Sequence, residues 1–367
     1  MAGRIVLFGA TGYTGRLVAE AMSGRGMSPV LAGRDRDSLA LLADRLGGLE
    51  TAVADVERPA TVRALVEEGD VLVTTVGPFQ RWGGPALEAA IDAGAIYIDS
   101  TGEPSFIRRV FEQEGPKAEA AGTALFTAFG YDWVPGNLAG ALALRAAGPT
   151  AASVRVGYFV TGGANPGGMS GGTRASLAGA LLEPQFAYRG GQIVTERGGM
   201  RVGAFRVGER EWEGISVGTS EAFALPRLQP GLRAVEVYLG WFGRMSRAIQ
   251  VASALGAPLL AVSPVKRALG SAADRFTQGS TGGPDAEVRA RTGSEIVAQA
   301  LDVAGEVIAE ARVRGVNVYD FTARIMAWAA ETAADGDVRG EGALGPADGF
   351  GLDELEAGAA QSGLEKV

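Results

Sequence analysis

The 367-residue sequence contains no cysteine and no histidine. Without thiols there are no disulfides, no thiolate metal sites and no cysteine nucleophile. Without imidazole the commonest general base and metal ligand is gone. A serine–histidine–carboxylate hydrolase and most zinc enzymes are excluded, and no metal site is expected. Proton transfer falls to Tyr, Lys, Asp, Glu, water or the substrate itself. Positive charge is also in deficit: 34 Lys and Arg face 42 Asp and Glu, a formal net charge of −8. Such a surface repels nucleic acid and anionic membranes, so no nucleic-acid partner is expected and an anionic ligand needs a local positive site. Long apolar runs are missing too. The longest, "VASALGAPLLAVSPV" (251–265), carries two prolines and falls short of the ~20 residues that cross a bilayer. The N-terminus shows neither the basic nor the apolar region of a signal peptide. A cytoplasmic protein is expected.

What is present is apolar substance and rhythm. Hydrophobic residues make up 47% of the chain, enough for two cores. Through the first 130 or so residues, strand-like runs ("RIVLFG", "SPVLAG", "LETAVADV", "DVLVTTVG", "AIYIDST", "TALFTAFG") alternate with helix-like stretches. That alternation builds a doubly wound parallel sheet. After Ala147 come glycine-broken, mostly strand-like pieces, then "GSEIVAQALDVAGEVIAEARVRG" with ambiguous boundaries, then an amphipathic helix in "NVYDFTARIMAWAAETAADG". The expected fold class is α/β: an N-terminal Rossmann doubly wound parallel sheet with a second α+β domain containing a mixed sheet. The expected domains are 1–147 for the cofactor, 148–315 for substrate and oligomerisation, and 316–367 as a C-terminal helix and tail packing back on the first.

Gly9, Gly12 and Gly15 stand three apart between the first strand and the first helix. Such a turn needs a tight bend, backbone close to a pyrophosphate, and phosphate at a helix N-terminus; glycine obstructs none of these. Thr11, Tyr13 and Thr14 add donors. Where an NAD site carries a carboxylate for the ribose, "LAGRDRDSL" has Gly33 and Arg34, and a guanidinium pairs bidentately with a 2′-phosphate. NADP(H) is therefore the expected cofactor. Asp35 either repels that phosphate or caps the following helix. Asp55 ends the third strand, facing adenine or serving as a turn residue. Val76, Gly77, Pro78 and Phe79 follow the fourth strand and fall near ribose and nicotinamide.

With these landmarks in order, the sequence resembles the saccharopine dehydrogenase-like oxidoreductases, in particular shorter members similar to trans-acting enoyl reductases. The resemblance rests on "GATGYTGRLVA", "LAGRDRDSL", "VGPFQRWGGPALEAAIDAGAIYIDSTGE" and "GYDWVPGNLAG", with "SGGTRASL" and "LGPADGFG" further on. It implies an NADP-binding Rossmann domain, a second domain covering the nicotinamide, and a homodimer through the second domain's sheet. The implied activity is NADPH-dependent reduction of a C=N or conjugated C=C bond in a small or carrier-bound metabolite of a biosynthetic pathway. A non-catalytic NADP-binding sensor or scaffold of the same fold is the alternative.

Hydride transfer leaves the protein one chemical task, to supply a proton. Candidates at the sheet's carboxyl edge are Tyr97, Asp99, Glu103, Tyr131 and Asp132. Each carboxylate also follows a strand where a helix cap is needed, Asp132 ahead of a helix starting near Val134. Trp133 offers an apolar wall. Gly172, Thr173 and Arg174 in "SGGTRASL" suit a substrate anion at a helix start, or form a plain connection. The segment 245–270 mixes apolar and basic residues; a membrane surface, a lid or a dimer helix each accounts for it, and a membrane partner is not the expectation.

Overall fold

The computed structural model describes residues 3–162, 184–260 and 282–367. Strands β1 (Ile5–Phe8), β2 (Val30–Gly33), β3 (Thr51–Val53), β4 (Val71–Thr74), β5 (Ile96–Asp99) and β6 (Ala124–Phe126) come first. Next are β7 (Ser153–Thr161), β8 (Gln185–Arg189), β9 (Gln192–Glu196), β10 (Val202–Val207), β11 (Arg210–Ser216) and β12 (Ala234–Leu239). Then follow β13 (Gly293–Leu301), β14 (Val307–Gly315), β15 (Gly342–Ala343) and β16 (Leu364–Lys366). The chain divides into two compact units. One comprises Met1–Thr101, Phe106–Val134 and Val318–Gly363; the other comprises Gly102–Ser105, Pro135–Asn317 and Leu364–Val367.

The first unit's seven strands lie in the order β15-β6-β5-β4-β1-β2-β3, every pair parallel. Six of them reproduce the dinucleotide-fold order 3-2-1-4-5-6, with β15 added outside β6. The continuous apolar runs of β1 and β4 follow from burial on both faces: Val6, Leu7, Val71, Leu72 and Val73 are all fully enclosed. Helix Tyr13–Gly24 turns Val18, Ala19 and Met22 inward at helical spacing. The C-terminal helix Val318–Ala334 packs beside it, fastened by the Arg25–Glu331 ion pair and an edge-on contact of Tyr13 with Tyr319 at 5.2 Å.

The second unit holds a nine-stranded sheet, β10-β11-β12-β7-β13-β14-β16, with β8 paired to β12 and β9. It is mixed, because β12 and β7 run parallel while the other pairs are antiparallel. The segment of ambiguous boundaries is the β13–β14 hairpin. Its turn is closed by Asp302, whose Oδ1 accepts the Ala304 and Glu306 N–H groups at 2.9 and 3.0 Å. Phe159, Phe205, Tyr238 and Val297 form a core against which Trp212 packs.

The division between the units falls at Val134/Pro135 and not at 147. Helix Val134–Ala147 is tied into the second unit near its start: Gly136 N–H donates to the Tyr158 hydroxyl at 2.7 Å, and Asn137 Nδ2 to Ser220 Oγ at 3.0 Å. Residues 318–363 complete the first unit, while the last four residues pair with β14 in the second. Among the described residues no helix is long and apolar enough to cross a membrane.

Candidate active site

β1 lies between β4 and β2, where the winding of the sheet reverses. Ligands of open α/β sheets sit at the strand carboxyl ends of that point. Gly9 adopts φ +90° there, and a Cβ on it would lie 2.8 Å from Thr75 Oγ1 and 2.9 Å from Val76 Cγ2. A Cβ on Gly15 would lie 2.1 Å from the Gly9 carbonyl oxygen. The helix therefore sits hard against the turn. Gly12 is its N-cap, with no side chain to satisfy the first N–H groups, and the first turn carries no acid. The positive end of this helix is left for an anion.

The next helix, Arg36–Arg45, is built the opposite way. Asp35 caps it, accepting Ser38 N–H on Oδ1 at 2.8 Å, and this bond holds the Asp35 carboxyl below its usual pKa. Its charge is thus committed to its own helix. Arg34, exposed beside it, makes no hydrogen bond or ion pair among the described residues. Thr11 Oγ1 would stand 3.7 Å from a Cβ at Gly33, so the Thr11 hydroxyl and Arg34 mark the same edge. An uncapped helix, a glycine cradle and an uncommitted guanidinium fit a pyrophosphate and a 2′-phosphate.

Beyond β4, Thr75 Oγ1 donates to the Gly9 carbonyl at 3.2 Å, and the Gly77–Pro78 peptide is cis. Val76 is half-buried, while Gly77 and Pro78 are exposed. Phe79 turns inward instead, packing on Phe106 at 5.6 Å, and anchors the loop. Asp55 Oδ1 accepts Glu57 N–H at 3.0 Å, which makes it a turn residue before helix Pro59–Arg63.

The proton-donor candidates separate clearly. Tyr97 and Asp99 are fully buried rather than open at the sheet edge. Asp99 Oδ1 accepts the N–H groups of Thr101 and Ala128 at 2.8 and 2.9 Å. It thereby fastens the loop after β6, where Ala128 holds φ +59°, a left-handed conformation costly for a residue with a side chain. Burial raises the Asp99 pKa to about 6 against those two backbone bonds, and burial followed by the Asp99 charge pushes the Tyr97 hydroxyl well up. The Thr127 hydroxyl is close enough to influence Asp99, but neither it nor Tyr97 meets hydrogen-bond geometry with Oδ2. Asp99 Oδ1 is thus committed to the backbone, while Oδ2 and the Tyr97 hydroxyl lie buried without a hydrogen bond among the described residues. Glu103 is half-buried in the 102–105 stretch just ahead of helix Pro104–Arg109.

Asp132 differs. It does not cap the helix through Oδ1, which is sealed from solvent and accepts no hydrogen bond among the described residues. The residue as a whole is half-buried. Burial alone raises its pKa to about 7. It lies in a loop closed on itself: Trp133 N–H donates to Ala128 O at 2.7 Å and Val134 N–H to Gly130 O at 3.0 Å. Tyr131 and Trp133 are buried beside it. Gly172, Thr173 and Arg174 lie outside the described residues.

Two residues of the C-terminal helix escaped the sequence reading. Tyr319 backs Tyr13, and Thr322 Oγ1 accepts Tyr131 N–H at 3.0 Å while donating to Val318 O at 2.8 Å. Nothing in the local sequence signals a partnership across 191 residues. Thr322→Val keeps the shape and deletes the acceptor, so a loss of roughly 1–2 kcal/mol is expected in thermal or urea unfolding. An unchanged midpoint would show that the loop does not depend on this bond.

Comparison with known proteins bears on the cofactor. A family profile described as "Saccharopine dehydrogenase NADP binding domain" matches residues 5–126. The matched stretch runs from β1 through β6 and so takes in the glycine turn, Arg34 and Asp55. The profile supports NADP(H) as the cofactor. A putative trans-acting enoyl reductase of Mycobacterium tuberculosis is 36% identical over 181 residues, 47% of this chain and 43% of that protein. A trans-acting enoyl reductase of Mycobacterium leprae is 39% identical over 140 residues, covering 36% of this chain and 34% of the relative. The matched region spans less than half the length of these relatives. Apo saccharopine dehydrogenase (L-Glu forming) from Saccharomyces cerevisiae superposes with a TM-score of 0.62 over 100% of this chain and 99% of that one, at 14% identity. At that identity the likeness speaks for the fold alone. An NADP-binding profile over this stretch agrees with the uncapped helix at Gly12 and the cradle at Gly9.

Proposed function

We propose that the protein is an NADPH-dependent reductase of a polarised double bond in a small or carrier-bound metabolite, with Asp132 as proton donor. The observation that carries the reading is the Asp132 carboxyl: sealed at Oδ1, unpaired there, and raised to about 7 by burial in a chain without histidine. NADPH held by the Gly9–Gly15 turn and Arg34 would supply hydride to one carbon of the double bond. The adjoining atom then needs a proton, and a carboxyl raised to about 7 still carries one in a large fraction of molecules at neutral pH. Once the proton has gone, the carboxylate stands desolvated, which favours its reprotonation. Asp99 holds the loop that carries Asp132, and Thr322 receives its Tyr131 N–H. Of C=N and conjugated C=C, the second is favoured. Relatives 36% identical carry the name enoyl reductase, whereas likeness to saccharopine dehydrogenase at 14% identity speaks for fold alone.

The test offers NADPH with 2-enoyl thioesters in one arm and, in the other, an amino acid mixed with a 2-oxo acid as imine source. Loss of NADPH absorbance is expected with the thioesters. Consumption only in the imine arm would overturn the choice of bond, and binding of NADPH without turnover of either would favour the sensor.

A further inference from the structure

Two carboxylates stand where the adenosine end of NADP(H) belongs, and a 2′-phosphate carries close to two negative charges at neutral pH. Asp35 is spoken for by its helix. Asp55 gives Oδ1 to the Glu57 N–H of its own turn, which leaves Oδ2, and the strand register brings it to the same edge. Gly33 lies opposite Val53 in the β2–β3 pair, and Ala54 N–H donates to the Gly33 carbonyl at 2.9 Å. Arg34 and Asp55 therefore leave adjoining strands side by side. A bare carboxylate at that place opposes a phosphate on Arg34.

Arg58 supplies the counter-charge. Its guanidinium stands 3.9 Å from Asp55 Oδ2, with the Arg58 side chain 64% exposed and that of Asp55 22%. The backbone of the turn places Arg58 next to Asp55. Arg58 N–H donates to Asp55 O at 2.9 Å, Asp55 N–H to Thr61 Oγ1 at 2.9 Å, and Thr61 Oγ1 to Arg58 O at 2.7 Å. The turn from Asp55 to Thr61 is a closed ring of hydrogen bonds carrying two acids, Asp55 and Glu57, and the Arg58 guanidinium stands near the first of them.

We propose that Arg58 is a specificity-determining residue of the NADP(H) site, masking the Asp55 carboxylate so that the 2′-phosphate is accepted beside Arg34. The proposal rests on the NADP(H) assignment and adds a residue to it. Arg58 acts here through Asp55, as a positioning and screening group, and the preference for the phosphorylated cofactor is shared between one arginine that receives the phosphate and one that neutralises its neighbour.

The test is equilibrium binding of adenosine 2′,5′-bisphosphate and of 5′-AMP by calorimetry. Arg58→Gln is expected to weaken the bisphosphate about three- to fivefold, the scale of an exposed charge pair, and to leave 5′-AMP unchanged. Adding Asp55→Asn in the same chain is expected to restore most of that loss, because no charge is then left to mask. A loss that Asp55→Asn does not restore, or an equal loss for both nucleotides, overturns the proposal. Arg34→Ala separates it from the parent assignment. Should that variant keep the full preference for the bisphosphate, the phosphate site itself lies elsewhere; should it lose the preference while Arg58→Gln keeps it, only the role of Arg58 falls.

Discussion

Gly15→Ala is expected to cost roughly 100-fold in NADPH affinity, close to 3 kcal/mol. The added Cβ meets the Gly9 carbonyl oxygen at 2.1 Å, the Gly9 carbonyl carbon at 2.9 Å and Ala10 Cα at 3.0 Å. All three are backbone, and none has a rotamer by which to yield. The helix must back away from the turn, carrying its N-terminal N–H groups from where the pyrophosphate sits. Overpacking of this kind also lowers stability, by about 1–3 kcal/mol. Gly12→Ala is the matched control: its nearest contact is the Gly9 oxygen at 3.3 Å, so a smaller loss is expected. Fluorescence titration with NADPH, beside a thermal melt, reads both effects. A Gly15→Ala protein that binds NADPH as the parent does would place the cofactor grip elsewhere.

Asp132→Asn carries the second large effect. A positioned acid contributes about 100-fold or more to a proton-transfer step, so kcat should fall by that order while NADPH affinity stays within about twofold. The pH profile gives the sharper sign. The carboxyl is protonated below about 7, so turnover in the parent should hold at lower pH and decline as pH rises through about 7. The residual rate of the variant should lack that decline. Stability moves the other way in the variant. The native carboxyl binds its proton more tightly than the unfolded one, whose pKa is 3.8, so the parent loses stability as pH rises from there through about 7. Removing the carboxyl should recover roughly 2–4 kcal/mol at higher pH. Asp99, raised to about 6, adds a loss of the same sign that persists in the variant. A variant that gains stability and keeps its rate would leave Asp132 a buried acid and no more.

Much of this was legible locally. A strand, three glycines and a helix announce the turn because each requirement falls on adjacent residues. Asp35 was open to two readings, and geometry decides for the cap. Other features depend on distance. The order of strands around β1 makes the switch point, yet no single stretch encodes it. The edge between units at Pro135 looks in sequence like an ordinary helix start, since Tyr158 and Ser220, which tie that helix down, lie far along the chain. Tyr97 and Asp99 read as edge residues because they end a strand, and β6 and its loop bury them. Asp132 shows the limit best. A carboxylate before a helix is ordinarily a cap, and only the fold reveals that its Oδ1 accepts no hydrogen bond among the described residues.

The central claim is that the glycine turn and Arg34 grip NADP(H). Parallel titrations with NADPH and NADH, in the parent and in Arg34→Ala, address it directly. NADPH should bind at least about tenfold more tightly to the parent, and Arg34→Ala should bring the two within about twofold. Equal affinities in the parent, or a preference for NADPH that survives the loss of Arg34, would contradict it.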